Sequence, residues 1–205
     1  MSENSIITFS SVFLDKTPPD DAHIGEMIQW GQQLHASGFI TEIESSLSIR
    51  TKMGFIITGS NITLDSIKKD GAVEVRGVVF GLNRPSIYVK GQIAPSREAL
   101  LHSCIYEALP QINAVFLISG HDILAAAEKL GIPSTAIEQP AGSQELAQEA
   151  ANLVKIHKTV SSFVLKNYGV VILGTTVTEA GTITEEILNK VHSSTKAKSV
   201  KKKRI

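Results

Sequence analysis

Cysteine occurs once in the 205 residues, at Cys104, so the chain can close no internal disulfide and offers no cysteine cluster to a metal. That usage fits a reducing compartment. Cys104 falls on the apolar side of a helical pattern and reads as a small buried hydrophobe rather than a nucleophile. Long apolar runs are missing too: no window reaches the roughly 20 residues of a membrane span, and MSENSIITFSS has no basic region followed by an apolar stretch. A cytoplasmic protein is expected. There is no Walker-type phosphate loop, no dinucleotide fingerprint and no G-x-S-x-G elbow, so the commonest nucleotide-binding and serine-hydrolase signatures are excluded. The six histidines (His23, His35, His102, His121, His157 and His192) include no i, i+2 pair for a strand face and no i, i+4 pair for a helix. Each, taken alone, reads as a surface or helix-flank histidine.

What is present describes one globular domain. The chain is 42% hydrophobic and 20% charged, enough for a full core, with neither internal repeats nor a linker, and the domain is assigned residues 1–192. The zero net charge hides an asymmetry: six of the twenty basic side chains lie in the final ten residues, leaving the body with fourteen against twenty acidic ones. Residues 193–205, basic and serine-rich with almost nothing apolar, are expected to be a disordered tail. The alternative for that tail is contact with nucleic acid or an acidic surface.

After Pro18-Pro19, Asp20 or Asp21 can cap a helix carrying Ile24, Ile28 and Leu34, with Gly38 as its stop. SSLSIRT and GFIIT form a hairpin through Lys52-Met53-Gly54; NITLDSIKKDG reads as a short helix; AVEVRGVVF and SIYVKG read as strands. Ser96 is an N-cap candidate for a helix with Glu98 in its first turn and Leu101, Cys104, Ile105, Ala108 and Leu109 buried. A strand at 114–119 leads into a helix at 122–130, and another helix starts near Ser143. The strands SFVLK and VVILG flank the turn Asn167-Tyr168-Gly169, and Thr176-Val-Thr-Glu179 is a capping box for the last helix. Paired strands separated by amphipathic helices predict a sheet covered by helices.

The order of segments GFITEIESSLSIRT, GFIITGS, APSREALLHSCIYEALPQINAVFLISGHD, AGSQELA and FVLKNYGVVILGTTVTEA resembles the class II aldolase and adducin family over roughly residues 22–190. The resemblance implies an α/β, three-layer α-β-α fold with a central, largely antiparallel sheet, assembled as a homotetramer. It also implies sugar-phosphate aldolase or epimerase chemistry on a zinc ion held by three histidines, the metal acting as a Lewis acid. The family pattern A-V-x-H-x-H, laid on Ala114 and Val115, puts two of those positions at Leu117 and Ser119, and the K-N-H-G hairpin puts the third at Tyr168. A leucine cannot bind metal, and hydroxyl or phenol substitutes poorly for imidazole, so no metal ligand and no cofactor is expected there.

Other positions match. Glu98 corresponds to the family's acid-base glutamate, Ser96 to a phosphate-contacting serine, and Thr58-Gly59 to part of the phosphate cradle; Ser46 stands for an asparagine and Arg97 for a second serine. Glu98 is thus the catalytic candidate, vestigial if the chemistry is lost, and Ser46, Thr58, Gly59, Ser96 and Arg97 are the candidates for a small anionic ligand. Capping and the helix dipole account for Ser96 and Glu98 equally well. Three readings follow: a scaffold that has lost zinc-dependent carbon–carbon cleavage and acts in binding or assembly; an enzyme using Glu98 with its metal relocated, to His121, His102 and Asp122 for example, or dispensed with; and an adducin-like scaffold acting through its basic tail.

Overall fold

A computed structural model of the chain describes residues 8–38, 40, 45–81 and 84–202, excepting the side chains of 122, 126 and 191–202. The elements in chain order are β1 (Ser10–Asp15), α1 (Ile24–Ala36), β2 (Ser46–Thr51), β3 (Gly54–Thr58), β4 (Ala72–Val79), β5 (Ser86–Lys90), α2 (Ala99–Ala108), β6 (Ala114–Ser119), α3 (His121–Lys129), α4 (Gln144–Ile156), β7 (Ser162–Leu165), β8 (Gly169–Gly174) and α5 (Val177–Lys202). Eight strands join in one mixed sheet, ordered β1-β5-β4-β3-β2-β6-β8-β7. Every neighbouring pair is antiparallel except β1 with β5.

The strand period separates two cores. On β6, Val115 and Leu117 join one apolar cluster while Ala114, Phe116 and Ile118 join the other, because alternate side chains leave opposite faces. The first cluster is closed by α2 and α4, the second by α1, α3 and α5, which yields the expected three layers. All six β6 residues are buried, as a central strand covered on both faces requires. Each large aliphatic side chain taken fully out of water contributes roughly 1.5–3 kcal/mol, so the two-sided burial is the main source of stability.

Local signals explain most element ends. Ser143 caps α4, its Oγ accepting from Leu146 N at 3.0 Å. At α5, Thr176 Oγ1 accepts from Glu179 N at 3.1 Å, and the Glu179 carboxylate accepts from Thr175 N at 2.7 Å, one residue before the expected partner. Gly54, at φ +147°, closes the β2–β3 turn where any Cβ would lie 2.0 Å from the Val75 carbonyl oxygen.

Three points differ from the reading of the sequence. The segment 61–71 forms two 3-10 turns, Leu64–Ser66 and Lys69–Gly71, since a short stretch containing Ile62, Thr63 and Ile67 makes too few helical bonds to offset nucleation. Neither Asp20 nor Asp21 caps α1; His23 holds that position with no side-chain cap, while Asp21 Oδ1 accepts from His23 N at 2.9 Å. β1 has no counterpart in the sequence reading, because an edge strand exposed along most of its length lacks a clear two-residue alternation. The last helix, α5, continues through Lys202. Residues 203–205 lie outside the described residues.

Candidate functional site

The expected site residues lie at strand ends and in the loop entering α2. Ser46 opens β2, Thr58 closes β3, Ser119 closes β6, and Tyr168 sits in the turn before β8. The loop carrying Ser96, Arg97 and Glu98 is pinned to β3: Ser96 N donates to the Thr58 carbonyl at 2.9 Å, and Gly59 bridges to Pro95. Gly59 also needs its missing side chain, since a Cβ there would meet Ile93 Cδ1 at 2.1 Å.

Glu98 occupies the N-cap position of α2 rather than its first turn, and Ser96 Oγ accepts from Glu98 N at 3.3 Å. The Ser96 cap expected from sequence is therefore a short turn preceding the helix. The Glu98 carboxyl is fully buried. Tyr168 donates its phenol to Glu98 Oε1 at 2.6 Å, a length typical of a hydroxyl bonded to a carboxylate. Arg97 completes the group: Nε lies 3.5 Å from Glu98 Oε1, Nη2 donates to the Tyr168 oxygen at 3.4 Å, and the guanidinium carbon stands 5.7 Å from the Tyr168 ring centre. Burial first, then the Glu98 charge and hydrogen bond, raise the Tyr168 pKa far above the usual phenol range. The phenol stays protonated and serves as a fixed donor.

Behind this group lies a polar network the sequence reading missed. His102, expected at a surface or helix flank, is fully buried, with Nε2 3.0 Å from Ser46 Oγ and Nδ1 2.7 Å from Ser48 Oγ. Ser48 Oγ is also 2.8 Å from the Tyr106 hydroxyl. Burial lowers the His102 pKa to about 3, so the ring is neutral. The signal was available as two spacings: Ser46 and Ser48 share a strand face, and His102 and Tyr106 share a helix face one turn apart. Arg50 secures the other end of α2, its Nη2 donating to the carbonyls of Tyr106 and Leu109 at 2.8 and 3.1 Å.

Leu117 is fully buried in the α2–α4 core, and Tyr168 packs against that core. Ser119 pairs with Gly169, the residue after Tyr168, so Leu117, Ser119 and Tyr168 do converge. Ser119 N donates to Ser45 Oγ at 3.1 Å; the hydroxyls of Ser119 and Thr58 are buried and have no hydrogen-bond partner among the described residues. A divalent ion needs several nitrogen, oxygen or sulfur donors converging on one point. A core leucine and a protonated phenol engaged with Glu98 do not fit that requirement. Nor does any group of three His, Cys, Asp or Glu among the described residues suit a metal. His121 is exposed at the start of α3 and His102 is buried under β2; the Asp122 side chain lies outside the described residues.

Beside the Arg97 loop, a pocket of about 370 Å³ opens at the start of β1, lined by Ser10, Ser11, Ser60, Arg84, Pro95 and Arg97 among others. Among the described residues no helix is long and apolar enough to cross a membrane.

Residues 25–191 match the profile of the Class II Aldolase and Adducin N-terminal domain. By sequence, the chain is 24% identical over 185 residues to a 3-oxo-tetronate 4-phosphate decarboxylase of Haemophilus influenzae, covering 78% of this chain and 81% of that protein. By structure, it resembles L-fuculose-1-phosphate aldolase of Thermus thermophilus, with TM-score 0.70, 17% identity and coverage of 88% of this chain and 97% of that one. A sugar-phosphate aldolase of Thermotoga maritima aligns with TM-score 0.70 at 15% identity, covering 86% and 95% of the two chains. At such identities the structural likenesses establish the fold. β1 lies outside the residues matched to the family.

Proposed function

The chain belongs to the class II aldolase and adducin family, and from that premise we propose that it is a member in which metal-dependent lyase chemistry has given way to binding of a small phosphorylated ligand. In this reading it acts as a binding or assembly scaffold and forms homo-oligomers. One observation carries it: the Tyr168 phenol is bonded to Glu98 at 2.6 Å, where the family resemblance puts a metal ligand and the acid-base glutamate. The phenol and the guanidinium both engage Oε1, so that oxygen must give up both contacts before it can take a substrate proton. Leu117 and Ser119 supply no imidazole for a Lewis acid, so no step is routed through a metal.

The ligand class follows from the donors. Thr58, Ser96 and Ser46 offer buried hydroxyls, and Arg97 a guanidinium at the rim of the open pocket. That set suits the oxygens of a phosphate, and the names of the relatives, 3-oxo-tetronate 4-phosphate and fuculose-1-phosphate among them, point to sugar and sugar-acid phosphates. The test pairs elemental mass spectrometry of protein purified without chelators or tag with sugar-phosphate cleavage and binding assays. Sub-stoichiometric metal and no cleavage, with measurable binding, is the expected result; chelator-sensitive cleavage would sink the proposal.

A second reading is favoured by the sequence relative's name, that of a decarboxylase. Here Glu98 works as general acid or base on an anionic substrate, with the metal held elsewhere or dispensed with. A turnover found in the parent and abolished in Glu98→Gln would install this reading in place of the first.

A further inference from the structure

Arg97 belongs to two neighbourhoods. On one side it touches Glu98 and Tyr168; on the other it lines the pocket at the start of β1, together with Arg84, Ser10, Ser11 and Ser60. The described residues that line this pocket include none of Ser46, Thr58, Gly59 and Ser96, so it is a space apart from the hydroxyls assigned above to the phosphorylated ligand. One of its walls, β1, lies outside residues 25–191, which match the family.

That wall is fixed in place. Phe9 is 2% exposed, buried in the α2–α4 core. Ser10 N donates to the Pro85 carbonyl at 2.9 Å, beside Arg84, and the Thr8 hydroxyl donates to the Gly142 carbonyl. Gly142 in turn abuts the Arg97 backbone: its φ is +71°, and a Cβ there would lie 2.9 Å from the Arg97 carbonyl oxygen. One short segment, residues 8–11, thus ties the loops of both arginines to the same cavity, which is formed before any ligand arrives.

Two guanidiniums and three hydroxyls line the cavity, and no carboxylate stands among its described lining residues. A lining of donors suits an oxyanion. Its volume, about 370 Å³, falls within the range of small-molecule sites and leaves room for several carbons beyond the charged group, against the apolar surface of Phe9, Ala94 and Pro95. Arg97 holds its other partners at long range, 3.5 Å to Glu98 and 3.4 Å to Tyr168, whereas those two are 2.6 Å from each other. A guanidinium bonded to an oxyanion settles at about 2.7–2.9 Å. An anion in the cavity therefore competes for Arg97 from a favourable position.

We propose that the pocket beside β1 is a second ligand site, taking a small organic phosphate or carboxylate, and that its occupancy turns Arg97 away from the Glu98–Tyr168 pair. The phenol keeps its bond to the carboxylate but loses the brace on that bond, so the state of Glu98 is coupled to a ligand that never touches it. This goes beyond the function proposed above: a chain whose pocket takes no anion can still hold a sugar phosphate through Ser46, Thr58 and Ser96.

The experiment titrates the full chain with inorganic phosphate and with acetate by calorimetry at low ionic strength, methylammonium being the cation control. The preferred anion identifies the charged group. Arg84 is exposed, so its replacement leaves the core intact. Binding should weaken about tenfold in Arg84→Gln and in Ser11→Leu, recover in part in Arg84→Lys, and stay unchanged in Ser46→Ala. In protein labelled with 13C tyrosine, the Tyr168 signal, assigned by its loss in Tyr168→Phe, should shift with the same midpoint and follow it tenfold upward in Arg84→Gln. A Tyr168 signal that stays put while Arg84-dependent binding saturates overturns the coupling through Arg97. Binding lost in Ser46→Ala and intact in Arg84→Gln overturns the second site and places the anion at the other hydroxyls. A parent that binds neither anion overturns it as well, and the sugar-phosphate assays then judge the first site on their own.

Discussion

Tyr168 and Glu98, 70 residues apart in the chain, are joined by a 2.6 Å hydrogen bond from phenol to carboxylate. The bond ties the turn before β8 to the start of α2, and Arg97 braces it from the same loop. Removing the phenol's oxygen leaves a buried carboxylate short of a donor. Tyr168→Phe is expected to destabilise the protein by about 1.5–3 kcal/mol, the range for hydrogen bonds to charged groups. Urea denaturation checks this, and a stability within error of the parent would show that the bond is not structural.

The convergence of Leu117, Ser119 and Tyr168 suggests a restoration experiment. Leu117 and Ser119 share a face of β6, and Ser119 lies opposite the neighbour of Tyr168. The triple variant Leu117→His, Ser119→His, Tyr168→His should take up close to one zinc per chain where the parent takes up little, read by elemental mass spectrometry after dialysis. A folded variant that stays metal-free would mean that these positions do not reproduce the family's ligand geometry.

Acid stability should report on His102. Its folded pKa, about 3, lies below the ordinary histidine value of 6.5. Between those values the unfolded chain binds the proton and the native state does not, so this histidine lowers stability as pH falls from about 6.5 towards 3, by roughly 1.4 kcal/mol per pH unit. Above that window it contributes no slope. Comparing the parent with His102→Gln by thermal or urea unfolding across pH should show a shallower acid decline in the variant; parallel curves would contradict the buried neutral ring.

Two glycines on the helical layer offer opposite outcomes. A Cβ on Gly181 of α5 would stand 2.3 Å from Trp30 Cδ2 of α1, so Gly181→Ala should cost about 1–3 kcal/mol by forcing the helices apart. Gly25, in α1, has nothing within 4 Å of its missing Cβ, so Gly25→Ala should stabilise by up to about 1 kcal/mol. Melting temperatures of the two variants, moving in opposite directions, would confirm the packing between α1 and α5.

The legible part of the fold was the part with periodicity. The hairpin at 46–58, the buried strand at 114–119 and the capped helices at Ser143 and Thr176 all announce themselves through alternation, turn residues or a cap. β1 does not, because its partner strand comes from 70 or more residues downstream and its exposed side chains show no alternation. The network around His102 stayed hidden for a related reason: a lone histidine on a helix is indistinguishable from a surface residue until the strand that packs on it is known.

The sequence by itself determined the family and the α/β layering. Those are matters of local period and side-chain chemistry, carried by neighbours in the chain. Only the tertiary structure decided that the tyrosine donates to the glutamate, that His102 is dry and neutral between two serines, and that β1 walls a pocket beside Arg97. Hydrogen-bond partners and desolvation depend on which distant segments meet, and no local pattern specifies that meeting.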